Sequence, residues 1–278
     1  MASKVFKIAL AQMAVGKNKV ENIAKAVKII GDAKKNGSSL VVLPECFNSP
    51  YGTKFFKEYA EEVPGGPTSE ALSKAAKDNC LFVVGGSIPE RSDGRLYNTC
   101  TVWDPQGCLV ASHRKVHLFD IDIPGGITFK ESDVLSPGNK FTVVDIGPCK
   151  VGIGICYDVR FQEMAAIYRS KNVDLVLYPG AFNMKTGPLH WELLLRARAV
   201  DNQVFVAGVC GSRDPSADYV AWGHTMLVDP WGKVLIQAED QETVLYADVD
   251  LKSCEDIREQ IPVSKQRRSD LYEVKSKI

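Results

Sequence analysis

Glu45, Lys115 and Cys156 each stand at or just past the end of a strand-like apolar run. Together they offer a proton acceptor, a cation and a sulfur nucleophile. A free thiol is only a few per cent ionised near neutrality, so an attacking cysteine needs a base for its proton and a positive charge for the anion that forms. Glu45 closes the run Leu40-Val41-Val42-Leu43-Pro44. Cys156 follows Gly152-Ile153-Gly154-Ile155 and precedes a helical pattern, a strand-to-helix turn that exposes a nucleophile at a sheet edge. On this reading the helix N-terminus favours the thiolate. Lys115 lies in Ser112-His113-Arg114-Lys115-Val116-His117, just after a strand.

An internal duplication supplies a control, because a residue that the scaffold needs should occur in both copies. Residues 40–48 return as 175–183, and 102–109 are answered by 228–235 around an Asp-Pro turn. Glu45 is matched by Gly180, Cys156 by Gln12 or its neighbour, and Lys115 by the stretch Ala238-Glu239-Asp240. None of the three is therefore demanded by the turn it occupies. Plain alternatives stay open: Glu45 could cap a turn, Cys156 could be a small buried hydrophobe, and Lys115 could belong to a solvated basic turn. His113 and His117 would suit a metal only on a helix with a third ligand nearby, and the segment shows neither.

The elements that must position these residues follow from periodicity. Each half reads strand, helix, strand, helix and then a strand meander, with helices predicted over 20–36 and 67–78, and over 161–171 and 188–202. Near-continuous apolar strands imply burial on both faces. Two such halves, sheet against sheet, give an α/β fold: a four-layer α-β-β-α sandwich with an internal pseudo-two-fold duplication. No linker separates the halves, so residues 1–278 read as a single domain. Residues 257–278, too polar to form a core, are expected as a C-terminal extension that wraps a symmetric partner.

Composition narrows the partners. The chain is 45% hydrophobic and 24% charged, with 34 basic and 34 acidic residues, so no net field draws it to nucleic acid or anionic lipid. No stretch approaches the roughly 20 apolar residues of a membrane helix. The segment Met1-Ala2-Ser3-Lys4 opens without a secretory apolar region, which places the chain in the cytoplasm with a mitochondrial fraction left open. Eight cysteines without a Cys-x-x-Cys pair read as small buried hydrophobes rather than zinc ligands. Asn36-Gly37-Ser38 reads as a helix-to-strand turn rather than a glycosylated sequon. No phosphate loop, dinucleotide fingerprint or metal signature is present, so no cofactor is expected.

Glu45 after Leu43-Pro44, Lys115 before Val116-His117-Leu118-Phe119, and Cys156 within Gly154-Ile155-Cys156-Tyr157-Asp158 are similar to the Glu–Lys–Cys triad of the nitrilase superfamily of carbon–nitrogen hydrolases. Glu131 in Thr128-Phe129-Lys130-Glu131-Ser132 matches the second glutamate of that family. Residues 118–126, 178–183 and 267–272 resemble the omega-amidase branch, which acts on the terminal amides of 2-oxoglutaramate and 2-oxosuccinamate. The resemblance implies a homodimeric, cofactor-free amidohydrolase that releases ammonia. Glu45 would act as base, Cys156 as nucleophile, and Lys115 with the Tyr157 N–H as oxyanion donors. The substrate carboxylate is expected at Arg160, with Tyr51, Phe182, Met184 and Thr186 as pocket walls. Alternatives are a deaminated-glutathione amidase, a carbamoylase or a true nitrilase, which keep the triad, and a non-catalytic or redox-sensing protein using Cys156.

Overall fold

A computed structural model describes residues 5–278; the reading of residues 1–4 lies outside the described residues. In the strand Val5–Gln12 (β1), Ile8 and Leu10 face one core while Ala9 and Ala11 face another, and Leu40–Val42 (β2) alternates in the same way. Ile8, Leu10, Leu40 and Val42 meet Val151 and Ile153 of the second half between the sheets. Ala9, Ala11 and Val41 meet Ala26, Ile30, Leu72 and Ala76 on the helices Lys19–Lys35 and Pro67–Asn79. Burying each such aliphatic side chain contributes roughly 1.5–3 kcal/mol.

The remaining strands are Phe82–Val84 (β3), Ile88–Ser92 (β4), Arg95–Trp103 (β5), Leu109–Arg114 (β6), Asp120–Asp122 (β7), Thr128–Lys130 (β8), Thr142–Asp145 (β9), Lys150–Ile153 (β10), Leu175–Gly180 (β11), Phe205–Cys210 (β12), Met226–Val228 (β13), Val234–Gln237 (β14) and Thr243–Asp250 (β15). One sheet runs β15-β1-β2-β3-β5-β4, with β6 also paired to β5; the other runs β14-β13-β12-β11-β10-β9. β1-β2-β3 and β10-β11-β12 are parallel. The helices Gln162–Ser170 and Gly187–Asn202 cover the second sheet, which gives the four layers.

The alternation of Gly and Ile before Cys156 now has a cause. A Cβ at Gly152 would stand 2.7 Å from the Tyr168 ring, and one at Gly154 would stand 2.6 Å from the Tyr178 ring. Only glycine lets these buried rings lie against the strand.

The duplication reading did not foresee an exchange of strands. The last strand of the first half, β9, pairs antiparallel with β10, while the last strand of the second half, β15, pairs antiparallel with β1. Each half completes the sheet of the other. Between β6 and β9 the first half also carries the hairpin β7–β8 and a short 3-10 turn, Glu131–Asp133. The helix Lys252–Gln260 packs on the body through Cys254, Ile257 and an Arg258–Asp174 ion pair of 2.7 Å. From Arg258 onward the tail is exposed or half-buried throughout. Among the described residues no helix is long and apolar enough to cross a membrane.

Candidate active site

Glu45 leaves β2 at a turn held by the segment that joins β3 to β4. The Pro44 carbonyl accepts from the Ser87 N–H at 3.2 Å, and the Ser87 hydroxyl accepts from the Cys46 N–H at 3.0 Å. Gly86 makes this approach possible: its φ is +55°, and a Cβ there would lie 2.0 Å from the Pro44 carbonyl oxygen. Cys156 sits past β10 with φ +47°, a left-handed conformation that costs a non-glycine residue on the order of 1–2 kcal/mol. The expected helix begins here as a 3-10 turn, Cys156–Arg160, and the α-helix starts only at Gln162.

Burial first, then the Glu45 carboxylate, push the Cys156 thiol well up, against Lys115 and a hydrogen bond from the Ala181 backbone. Burial and the carboxylate both favour the protonated thiol. Its proton must leave as it attacks, and Glu45 is the group beside it.

Lys115 lies between two carboxylates, and the Cys156 thiol hydrogen-bonds to one of them, Glu45. Lys115 Nζ donates to Glu45 Oε1 at 3.0 Å and to Glu131 Oε1 at 3.0 Å, and it lies 2.9 Å from Glu131 Oε2. Lys115 is 1% exposed, Glu45 4% and Glu131 0%, so these charges interact without solvent screening. Burial would drive the ammonium to lose its proton, but the Glu131 and Glu45 carboxylates outweigh it and raise the Lys115 pKa well above its ordinary value. Burial raises the Glu45 carboxyl, opposed by Lys115 and assisted by Glu131. Asn98 Nδ2 also donates to Glu45 Oε1 at 2.8 Å, so Oε2 is the oxygen left to take the proton of the Cys156 thiol. Glu131 is braced by the Phe119 N–H at 2.7 Å and the Tyr51 hydroxyl at 2.8 Å.

Beside Glu45 lies a cavity of about 230 Å³ lined by Cys46, Tyr51, Ala181, Ser212 and Tyr219, among others. Tyr51 lies where the sequence put it, stacked against Phe129 with centroids 5.7 Å apart. Tyr157 is half-buried, 5.4 Å from Phe119 between ring centroids. Arg160, Phe182, Met184 and Thr186 are not on the cavity lining. Phe182 packs on Trp191 at 4.8 Å, Met184 is 43% exposed, and Thr186 is held by Asn183 Oδ1. The Arg160 guanidinium lies over the rings of Tyr157 and Phe182, at 5.4 and 5.1 Å, and faces His190 Nδ1 at 3.2 Å. Burial and then Arg160 lower the His190 pKa, so its nitrogen can accept. Among the described residues no carboxylate pairs with Arg160, which removes the surface ion pair as its explanation.

Sequence reasoning missed Asn98 and Tyr219. Asn98 carried a signal, an amide inside the apolar strand β5. Tyr219, 4.5 Å from Tyr51 between centroids and donating to the Ala181 carbonyl at 2.6 Å, carried none, since it sits in an irregular loop. The duplicated counterparts are filled structurally. Gln12 donates to the carbonyls of Glu239 and Gln241 at 2.7 Å each, and a Cβ at Gly180 would already touch Trp191 at 3.0 Å. His113 and His117 both turn to Asp158, and among the described residues no cluster could hold a metal ion.

Comparison with known proteins gives the same frame. Residues 7–259 match the carbon-nitrogen hydrolase family. The chain is 56% identical over 272 residues to omega-amidase NIT2 of Bos taurus, covering 98% of each, and 54% identical over 272 residues to omega-amidase NIT2 of Homo sapiens, again covering 98% of each. Among solved structures it is similar to Saccharomyces cerevisiae Nit3, described as a member of branch 10 of the nitrilase superfamily, with TM-score 0.87 and 42% identity over 95% of this chain and 97% of that one. Those matches span nearly the whole chain, and the chain belongs to the carbon–nitrogen hydrolase family, within the nitrilase superfamily.

Proposed function

We propose that this chain is a cysteine-dependent omega-amidase that hydrolyses the terminal amide of small 2-oxo dicarboxylic acid monoamides. One observation carries the reading: a buried ammonium joins two carboxylates beside a protonated thiol, and one carboxylate oxygen is left free. Glu45 takes the Cys156 proton as sulfur bonds to the amide carbon, and the carbonyl π electrons move onto oxygen. Lys115 and the Tyr157 N–H hold that oxyanion, the latter because leading N–H groups of a helical turn lack intrahelical acceptors. The carbon–nitrogen bond then breaks, Glu45 gives its proton to the departing nitrogen, and ammonia leaves a thioester. Glu45 next deprotonates a water that attacks the thioester. The thiol is restored and the carboxylic acid released. Glu131 positions Lys115 throughout.

The names of the relatives support the substrate class, as does the cationic Arg160, which has no acidic partner among the described residues and suits a carboxylate contact. Arg160→Met should raise KM for 2-oxoglutaramate roughly 10- to 100-fold with kcat little changed, as for one lost charged hydrogen-bond pair. The test is ammonia release from 2-oxoglutaramate, deaminated glutathione, an N-carbamoyl amino acid and a nitrile. Preference for any of the last three overturns the substrate assignment. Redox sensing is disfavoured because reactive sensor thiols are exposed and of low pKa, and Cys156 is neither.

We further propose a homodimer formed through the outer face of the helix Gly187–Asn202, with the tail from residue 261 wrapped over the partner. Leu189, Leu193 and Val200 are 64, 63 and 49% exposed there, and Leu271 and Tyr272 of the tail are 70 and 59% exposed. A chain ending at Gln266 should scatter light as a monomer, and an unaltered dimer overturns the wrapping. The eight unpaired cysteines fit a reducing compartment, and we place the protein in the cytoplasm with room for a mitochondrial fraction.

A further inference from the structure

Asp158 follows the nucleophile by two positions and takes no part in the chemistry above. Its side chain is fully buried. One oxygen, Oδ1, accepts from the His117 backbone N–H at 2.9 Å and faces His117 Nδ1 at 2.7 Å. The other, Oδ2, accepts from the Ile155 N–H at 2.9 Å and faces His113 Nε2 at 3.4 Å. An ionised carboxylate only accepts, so both rings must present N–H to it. Burial opposes its charge, yet hydrogen bonds from His113 and His117 hold the Asp158 carboxyl well below the usual carboxylate range.

The partners are placed tellingly in the chain. His113 and His117 bracket Lys115, and Ile155 and Asp158 bracket Cys156. Lys115 itself is pinned by its own backbone, whose N–H donates to the Asn98 carbonyl at 2.8 Å and whose carbonyl accepts from Gly138 at 2.7 Å. The His117 ring is clamped in turn, stacked on Phe161 at 3.6 Å and 9°. Phe161 closes the 3-10 turn that Cys156 opens, so the histidine holds that turn at its middle, through Asp158, and at its C-terminal end. A second histidine contact, His113 Nδ1 to Thr142 Oγ1 at 3.1 Å, ties the same carboxylate to β9, the exchanged strand.

We propose that Asp158, acting through His113 and His117, is a positioning residue that fixes the distance between the Cys156 sulfur and the Lys115 ammonium. This rests on the thiol mechanism proposed above. A misplacement of about 1 Å between reacting groups is worth roughly 100-fold in rate, and one carboxylate here sets two loops at once. The device also accounts for the left-handed Cys156: a strained residue persists only where its surroundings over-determine it.

The test compares variants that keep or lose a donor. Asp158→Asn keeps the shape but sets an NH2 against an N–H donor; kcat should fall roughly 10- to 100-fold while KM for 2-oxoglutaramate stays within about twofold. His117→Ala should lower kcat in the same way, whereas His117→Asn, whose amide N–H stands near the Nδ1 position, should recover most of it. Asp158→Asn combined with His117→Ala should be no slower than Asp158→Asn alone, because both act on one interaction. Should Asp158→Asn not fold, the two His117 variants decide. Equal loss in His117→Ala and His117→Asn, additive losses in the double variant, or unchanged kcat in folded Asp158→Asn overturns the proposal. The Cys156→Ala variant in the same assay keeps the two readings apart. If it is inactive while Asp158→Asn behaves as wild type, only the positioning role fails; if it is active, the thiol mechanism fails and this inference with it.

Discussion

Cys156→Ala abolishes ammonia release, with kcat lowered by roughly 10⁴-fold or more, and leaves the folded structure in place. The loss is large because the thioester needs a thiol at that position: Cys46 lines the cavity beside Glu45, but burial and the Glu45 carboxylate push its thiol up. The fold survives because the change removes one small atom while the backbone around it stays held. Ile155 keeps its bond to Asp158, and Gly154 keeps its contact with Tyr178. Thermal unfolding should therefore move little while single-turnover release of ammonia disappears. Retained activity at more than a per cent of wild type would dismiss sulfur as the nucleophile.

Lys115→Met should damage both chemistry and stability. Loss of one oxyanion donor lowers kcat by roughly 10²- to 10³-fold. Methionine fills most of the volume but leaves Glu45 and Glu131 facing each other in a dry site, and an uncompensated buried charge costs about 3–5 kcal/mol. The pH dependence follows from the direction of the Glu45 shift. Burial already raises Glu45 above 4.5 in the wild-type protein, and losing the lysine raises it further. An acid whose pKa is higher folded than unfolded takes up a proton on folding, so stability is greatest at low pH and falls as pH rises from the unfolded towards the folded value. The deficit of Lys115→Met should thus be largest near neutrality and narrow towards pH 4.5. In the wild-type enzyme kcat/KM should fall on the acid side with an apparent pKa above 4.5, and in the variant that limb should move higher still. A pH-independent stability deficit, or an unmoved acid limb, would contradict the role given to Glu45.

Much of this was legible before any coordinate. The helices over 67–78 and 188–202 form as Pro67–Asn79 and Gly187–Asn202, because a proline at the first turn and apolar spacing of three and four are local properties. The unrepeated Glu45 and Cys156 do reach one site, because each ends a strand of a duplicated unit. Three features were not legible. The exchange of β9 and β15 depends on which edges remain open once both sheets have formed. The turn after Cys156 became a 3-10 helix rather than the first turn of an α-helix, since Asp158 satisfies the Ile155 N–H and tightens it. Tyr219 reaches Ala181 from a loop with no period at all.

The sequence by itself determined the layers, the order of the elements and the types of residue at the strand ends, because these follow from backbone propensity and from a hydrophobic pattern repeated over a few neighbours. Only the tertiary structure decided that Asn98 and Lys115 occupy one oxygen of Glu45 and leave the other open, that Glu131 shares the lysine, and that the thiol rests protonated. Those outcomes depend on desolvation and on charges brought together from remote parts of the chain, where burial makes each contact strong and no local pattern records which partners will meet.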